Sequence, residues 1–174
     1  GCSMTCQTQD LACTSTDTDL AGYWRLDEAT GTTSADQTGS NDGTWVGTPT
    51  PTTDVPTVGF NDVRSLSFNG TTDSVDLGSN VGNLSLADNF TVSAWINPAL
   101  DFQNHAIYGN AWANGGYLLR VNAENKIRFI LVQNGSNGSV YNGMDSNVLT
   151  PGWHHVVGVW DGTNVKVYVD GVDE

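Results

Sequence analysis

The 174 residues give this chain the length of one domain, and a domain of that size can bury a core that is stable unaided. Gly occupies 20 positions and charged residues only 14%, with Asn, Asp, Ser and Thr filling much of the rest, a balance that speaks against helices and for strands joined by polar turns. The net charge of -13, with six basic residues scattered as Arg25, Arg64, Arg120, Lys126, Arg128 and Lys166, excludes a nucleic-acid or anionic-membrane partner. The same acidity suits an extracellular setting, where it holds the protein in solution and can attract divalent cations. No apolar run is long enough for membrane insertion.

Residues 1–20 are polar, Thr- and Asp-rich and without periodicity, and read as a tail or linker ahead of a domain over 21–174. Cys2, Cys6 and Cys13 all fall in this tail, so they cannot staple the body internally. An odd count leaves one thiol for another chain if two pair, and the alternative is a small loop disulfide in a loose tail. Tyr23 to Leu26 is the first candidate strand. The stretch that follows carries Asp27, Asp36, Asn41 and Asp42 among glycines, a concentration of hard oxygen donors. Calcium takes roughly six to eight such oxygens, which makes it the cofactor this loop suits; a solvated turn is the other reading.

Further strands are expected at Leu66 to Phe68 and Ser74 to Leu77. In Phe90 to Asn97, Phe90, Val92, Ala94 and Ile96 share one face while Thr91, Ser93, Trp95 and Asn97 share the other, and Pro98 ends the run. After Ala106 to Tyr108 comes a polar stretch with aromatics, in which Trp112 stands between Asn110 and Asn114, and Tyr108, Tyr117 and Tyr141 lie near Asn104, Asn110, Asn114, Asn134 and Asn137. Aromatic faces stack on sugar CH groups while amides read hydroxyls, so Trp112, Tyr108, Asn110, Asn114 and Tyr141 form the candidate ligand site, against a structural use of the same rings. Tyr117 to Asn122 and Lys126 to Val132 form a hairpin about Ala123-Glu124-Asn125, with Ile127, Phe129 and Leu131 inward. Strands at Ser139 to Tyr141, Trp153 to Trp160 and Val165 to Asp170 follow, the last running into an Asp170-Gly171 hairpin turn. Roughly ten short strands with turns at regular intervals specify an all-β, antiparallel two-sheet jelly-roll sandwich.

Four ordered segments carry a family resemblance. Gly22-Tyr23-Trp24-Arg25-Leu26-Asp27-Glu28, Leu66-Ser67-Phe68-Asn69-Gly70 with Asp73-Ser74-Val75, Phe90 to Ile96, and Gly152-Trp153-His154-His155-Val156-Val157 running to Asp170-Gly171 resemble the laminin G-like members of the concanavalin A-like lectin/glucanase fold. The resemblance implies Trp24, Phe68, Trp95, Trp153 and Trp160 as packing residues, and calcium at a loop of the kind that Asp27 opens. It also implies further strands after the Asp170-Gly171 hairpin, the last beside Tyr23 to Leu26. Their lack would mark a fragment, or a sandwich closed by a strand from another copy.

Catalysis finds little footing. Retaining glycosidases of this fold need carboxylates about 5–5.5 Å apart, and the three glutamates, Glu28, Glu124 and Glu174, are far apart in sequence and beside turns or a terminus. His154 and His155, adjacent on a strand, point to opposite faces and cannot share an ion. The residues therefore point to an extracellular, non-catalytic recognition or adhesion module for a glycan or a surface protein. A structural subunit of a filament or cell-surface assembly, formed by self-association, is the alternative, and a glycosidase remnant the third reading.

Overall fold

The computed structural model describes residues 19–39, 41–78, 89–109, 116–133 and 140–174, with backbone alone at 133 and 140–142. Cys2, Cys6, Cys13, Asn110, Trp112 and Asn114 lie outside the described residues. The chain divides into two compact units, residues 1–83 and 84–174. Among the described residues all regular structure is strand, arranged in four antiparallel sheets, and none forms a helix long and apolar enough to cross a membrane.

In the first unit, β1 (Thr33–Ser34), β2 (Gly43–Val46) and β5 (Ser74–Asp76) form one small sheet in the order β1-β2-β5, while β3 (Thr50–Thr52) pairs with β4 (Ser65–Ser67). The turn between β4 and β5 closes on itself. Asn69 Oδ1 accepts from the N–H groups of Thr71, Thr72 and Asp73, and Asp73 Oδ2 accepts from Asn69 N–H in return. Gly70 at φ 74° supplies the left-handed residue the turn needs. The strand expected at Tyr23 to Leu26 is reduced to one bridge, Trp24 to Asp36. Leu26 at φ 55° turns the chain away before a ladder can extend.

The second unit is a sandwich. One sheet has the order β13-β12-β11-β6, from β6 (Phe90–Ile96), β11 (His154–Trp160), β12 (Val165–Val169) and β13 (Val172–Asp173). The facing sheet has the order β10-β9-β8-β7, from β7 (His105–Gly109), β8 (Gly116–Val121), β9 (Lys126–Gln133) and β10 (Val140–Val148). Alternation decides the interior. Phe90 and Val92, Leu119 and Val121, Ile127, Phe129 and Leu131, Val156 and Trp160, and Val167 form one buried cluster drawn from both sheets. Two-residue spacing explains why the valines of β12 and the Ile127-Phe129-Leu131 row of β9 share it.

Turn chemistry fixes the registers. Asp170 and Gly171, at φ 52° and 81°, make the two-residue turn between β12 and β13. In the β8–β9 hairpin Asn125 takes φ 58°, and Asn122 Oδ1 accepts from the N–H groups of Glu124 and Lys126. Where the β9–β10 ladder slips between Asp145 and Val148, Ser146 Oγ accepts the Ile127 N–H that the bulge leaves over. Gly158 of β11 lies so close over Phe129 that an added Cβ would sit 2.5 Å from the ring, which marks how tightly the two sheets approach.

Candidate functional site

The alternation that fills the sandwich also decides what it shows outside. On β6, residues opposite in parity to Phe90 and Val92 face away from the core, and Trp95 among them is 42% exposed. The resemblance reads Trp95 as a packing residue; the structure puts it on the outer sheet face instead, because it stands an odd number of positions from Phe90. Of the five aromatics read that way, Trp160 is buried in the core at 6% exposure and Phe68 is 40% exposed, while Trp24 and Trp153 are half-buried.

Trp95 has a neighbour. His155 stands directly opposite it across the β6–β11 pair, with ring centroids 5.2 Å apart and an interplanar angle of 40°. The same face carries Thr91 and Ser93 from β6, Val157 from β11, and Lys166 and Tyr168 from β12, in cross-strand rows Ser93–Val157–Tyr168 and Thr91–Val159–Lys166. The result is an aromatic ring on an open sheet, rimmed by hydroxyls and a cation.

His154, one residue earlier, points inward as adjacent strand residues must. Its ring is buried, with Nδ1 2.7 Å from Asp170 Oδ2 and Nε2 2.8 Å from the Thr150 carbonyl. Burial opposes its charge, but the Asp170 carboxylate and the Thr150 carbonyl outweigh that and hold its pKa above the ordinary histidine value. Asp170 is held below the ordinary carboxylate value: burial raises it, and the bonds from His154 and the His155 N–H more than offset this. The pair clamps the start of β11 to the turn after β12, a structural role.

The acidic loop of the first unit is organised around Asp36. Its Oδ1 accepts from the N–H groups of Tyr23 and Thr38, and its Oδ2 from the Thr38 hydroxyl, the Asn41 N–H and the Asn41 side-chain amide. Asp42 Oδ1 accepts the Asp36 N–H at 2.9 Å, and the Asn41 carbonyl accepts from the Trp24 indole at 2.8 Å. Asp27 instead pairs with Arg25 at 2.9 Å. Asp36, Asn41 and Asp42 are thus brought together, but the central carboxylate is occupied by the loop's own donors. Among the described residues no three His, Cys, Asp or Glu side chains gather to hold a metal ion.

Of the candidate ligand residues, Tyr108 is half-buried. Its ring is stacked on Tyr117 at 6.0 Å and packed against the core, which turns inward a residue that the sequence places at a loop rim. Tyr117 is itself buried, and that burial together with Tyr108 pushes its hydroxyl well above the ordinary phenol value. Tyr141 lies on β10, opposite Val132.

A sequence profile described as the concanavalin A-like lectin/glucanases superfamily, of laminin G type, matches residues 68–174. The fold is similar to the 2.1 Å crystal structure of residues 221–444 of an S-layer domain-containing protein from Clostridium thermocellum ATCC 27405, with a TM-score of 0.51 and 21% identity over 87% of this chain and 69% of that one. No curated protein matches the chain.

Proposed function

Because the chain belongs to the concanavalin A-like lectin/glucanase superfamily, we propose that it is an extracellular, non-catalytic recognition module that binds a glycan on the outer face of the β6–β11–β12 sheet. The observation that carries this reading is Trp95, a large aromatic ring left 42% exposed beside His155 on a face that also carries Thr91, Ser93, Val157, Val159, Lys166 and Tyr168. Sugar rings stack their CH faces on such a ring, and hydroxyl and ammonium groups at its rim supply the polar contacts. The non-catalytic part of this reading draws on the glutamates, each held by another group: Glu28 by the Ala35 N–H, Glu124 by Lys126, and Glu174 by Asn147.

A glycan array tests the reading, comparing the wild type with Trp95→Ala and Trp112→Ala. Trp95→Ala removes binding by at least about tenfold with its unfolding temperature preserved, since loss of one stacked aromatic is worth over 1 kcal/mol. Unchanged binding by that variant, with loss by Trp112→Ala, would move the site to the stretch of chain around Trp112.

The second reading is a subunit of a cell-surface assembly, favoured by the fold shared with an S-layer domain-containing protein. Light scattering across a concentration series separates the two: growth of large particles in the absence of glycan favours assembly, and a constant monomer mass favours the recognition module.

A further inference from the structure

The four edge strands of the second unit are not alike. A sheet edge turns the N–H and C=O of every second residue outward, and that row pairs with an extended strand unless charge, proline, a bulge or shortness prevents it. Three of the edges carry such protection. β7 opens on His105 and slips register between Ala106 and Tyr108. β10 carries Asp145 and slips between Asp145 and Val148. β13 is two residues long and contains Asp173.

β6 has none of these devices. Its seven residues, Phe90–Ile96, hold no charge, proline or glycine, and their register against β11 runs unbroken from Phe90 to Ile96. Among the described residues β6 pairs with β11 alone, so its other edge is open. Phe, Thr, Val, Trp and Ile make up most of it, the residue types that best fit a pleated ladder. Its inner row is also incompletely covered: Phe90 and Val92 are buried, whereas Ala94 and Ile96, packed against the same core, are only half-buried.

Charge narrows what can lie against this edge. At a net charge of -13, two copies of the chain repel over most of their surfaces, and a segment without charge is where they can meet. Antiparallel pairing of β6 with itself is self-complementary, as a two-fold interface must be. Directly opposed residues share a face, and the register that uses all seven residues centres on Ser93. It sets Phe90 against the partner's Ile96 and Val92 against the partner's Ala94 on the inner face, and Trp95 against the partner's Thr91 on the outer face.

We propose that β6 is a self-association edge, at which two copies of this chain join β6 to β6 about Ser93 in one continuous sheet of eight strands, four from each copy. The pairing closes on two copies, unlike the open-ended growth of an assembly. Backbone groups supply its bonds and no ligand takes part, so it stands or falls apart from the glycan reading; both Trp95 rings come to lie on one outer face.

Sedimentation equilibrium of the full chain across a concentration series tests it. The mass rises from monomer to dimer and stops there, and added salt tightens the dimer by screening the repulsion between acidic copies. Ser93→Lys and Ser93→Asp, changes at an exposed position, each set a like charge against itself and weaken the dimer at least about tenfold with the unfolding temperature kept. An equimolar mixture of the two variants restores the dimer, because Lys then faces Asp. Should either variant fail to fold, amide hydrogen exchange of the wild type decides: alternate amides of Phe90–Ile96 gain protection as concentration rises. A mass that stays monomeric throughout, growth beyond the dimer, a mixture no stronger than its parts, or β6 exchange independent of concentration overturns the proposal.

Discussion

At the scale of single residues, His154 and Asp170 yield a pH signature. His154 is raised above its ordinary 6.5 in the fold, so its contribution to stability is complete below that value and fades as pH rises through the raised one. Asp170 is lowered from 3.8, so its contribution is complete above that value and is lost as pH falls through the lowered one. The pair therefore stabilises most between those ordinary values, on the mildly acidic side of neutrality. Asp170→Asn keeps a residue that favours the left-handed turn but loses the charge. Its unfolding temperature should fall below the wild type's by about 4 °C near pH 5.5, and the gap should narrow as pH rises through the raised His154 value. A gap independent of pH would mean that the pair is not ionic. Asp36 is a second residue-scale case. Asp36→Ala strands the buried donors of its loop and should cost about 2–3 kcal/mol by chemical denaturation, in calcium and in chelator alike, because its acceptors are occupied by protein N–H and O–H groups. A cost seen only with calcium present would make Asp36 a metal ligand.

At the scale of elements, tight contact between the sheets is the feature most open to test. Gly158→Ala places a methyl 2.5 Å from the Phe129 ring and should destabilise by about 1–3 kcal/mol, with Phe129→Leu in the same chain restoring part of the loss. Additive losses in the double variant would show that the two positions are not in contact. The strands on either side of this contact were readable from the sequence because strict two-residue alternation leaves one solution for the Ile127-Phe129-Leu131 row and for Val165-Val167-Val169. The long β10 was legible only at its start: Asn142 to Asn147 is polar apart from Gly143 and Met144 and is held as strand by its ladder to β9, a tertiary cause that no local pattern announces. For the same reason β1, β2 and β3, short and rich in Thr, Gly and Pro, escape the sequence reading. Trp95 illustrates a subtler miss. Its parity against Phe90 was plain in the sequence, but its size suggested packing, and size does not choose a face. Arg120 and Arg128 are eight residues apart on separate strands, and only the hairpin register brings them opposite each other.

At the scale of the whole molecule, the composition and the fold agree on surface chemistry. Among the described residues, four of the six basic residues, Arg25, Lys126, Arg128 and Lys166, stand within ion-pair distance of a carboxylate, as an excess of acids allows. The two outer faces of the second unit differ in kind, one carrying Trp95 beside His155 and the other the cross-strand row Arg120–Arg128–Asp145. The central claim is that the β6–β11–β12 face is where ligand is held. Amide chemical-shift mapping with the best-scoring glycan of the array addresses it most directly. The account predicts shifts clustered at Ser93, Trp95, His155 and Tyr168, and shifts confined to residues 27–42 or to the chain around Trp112 would contradict it.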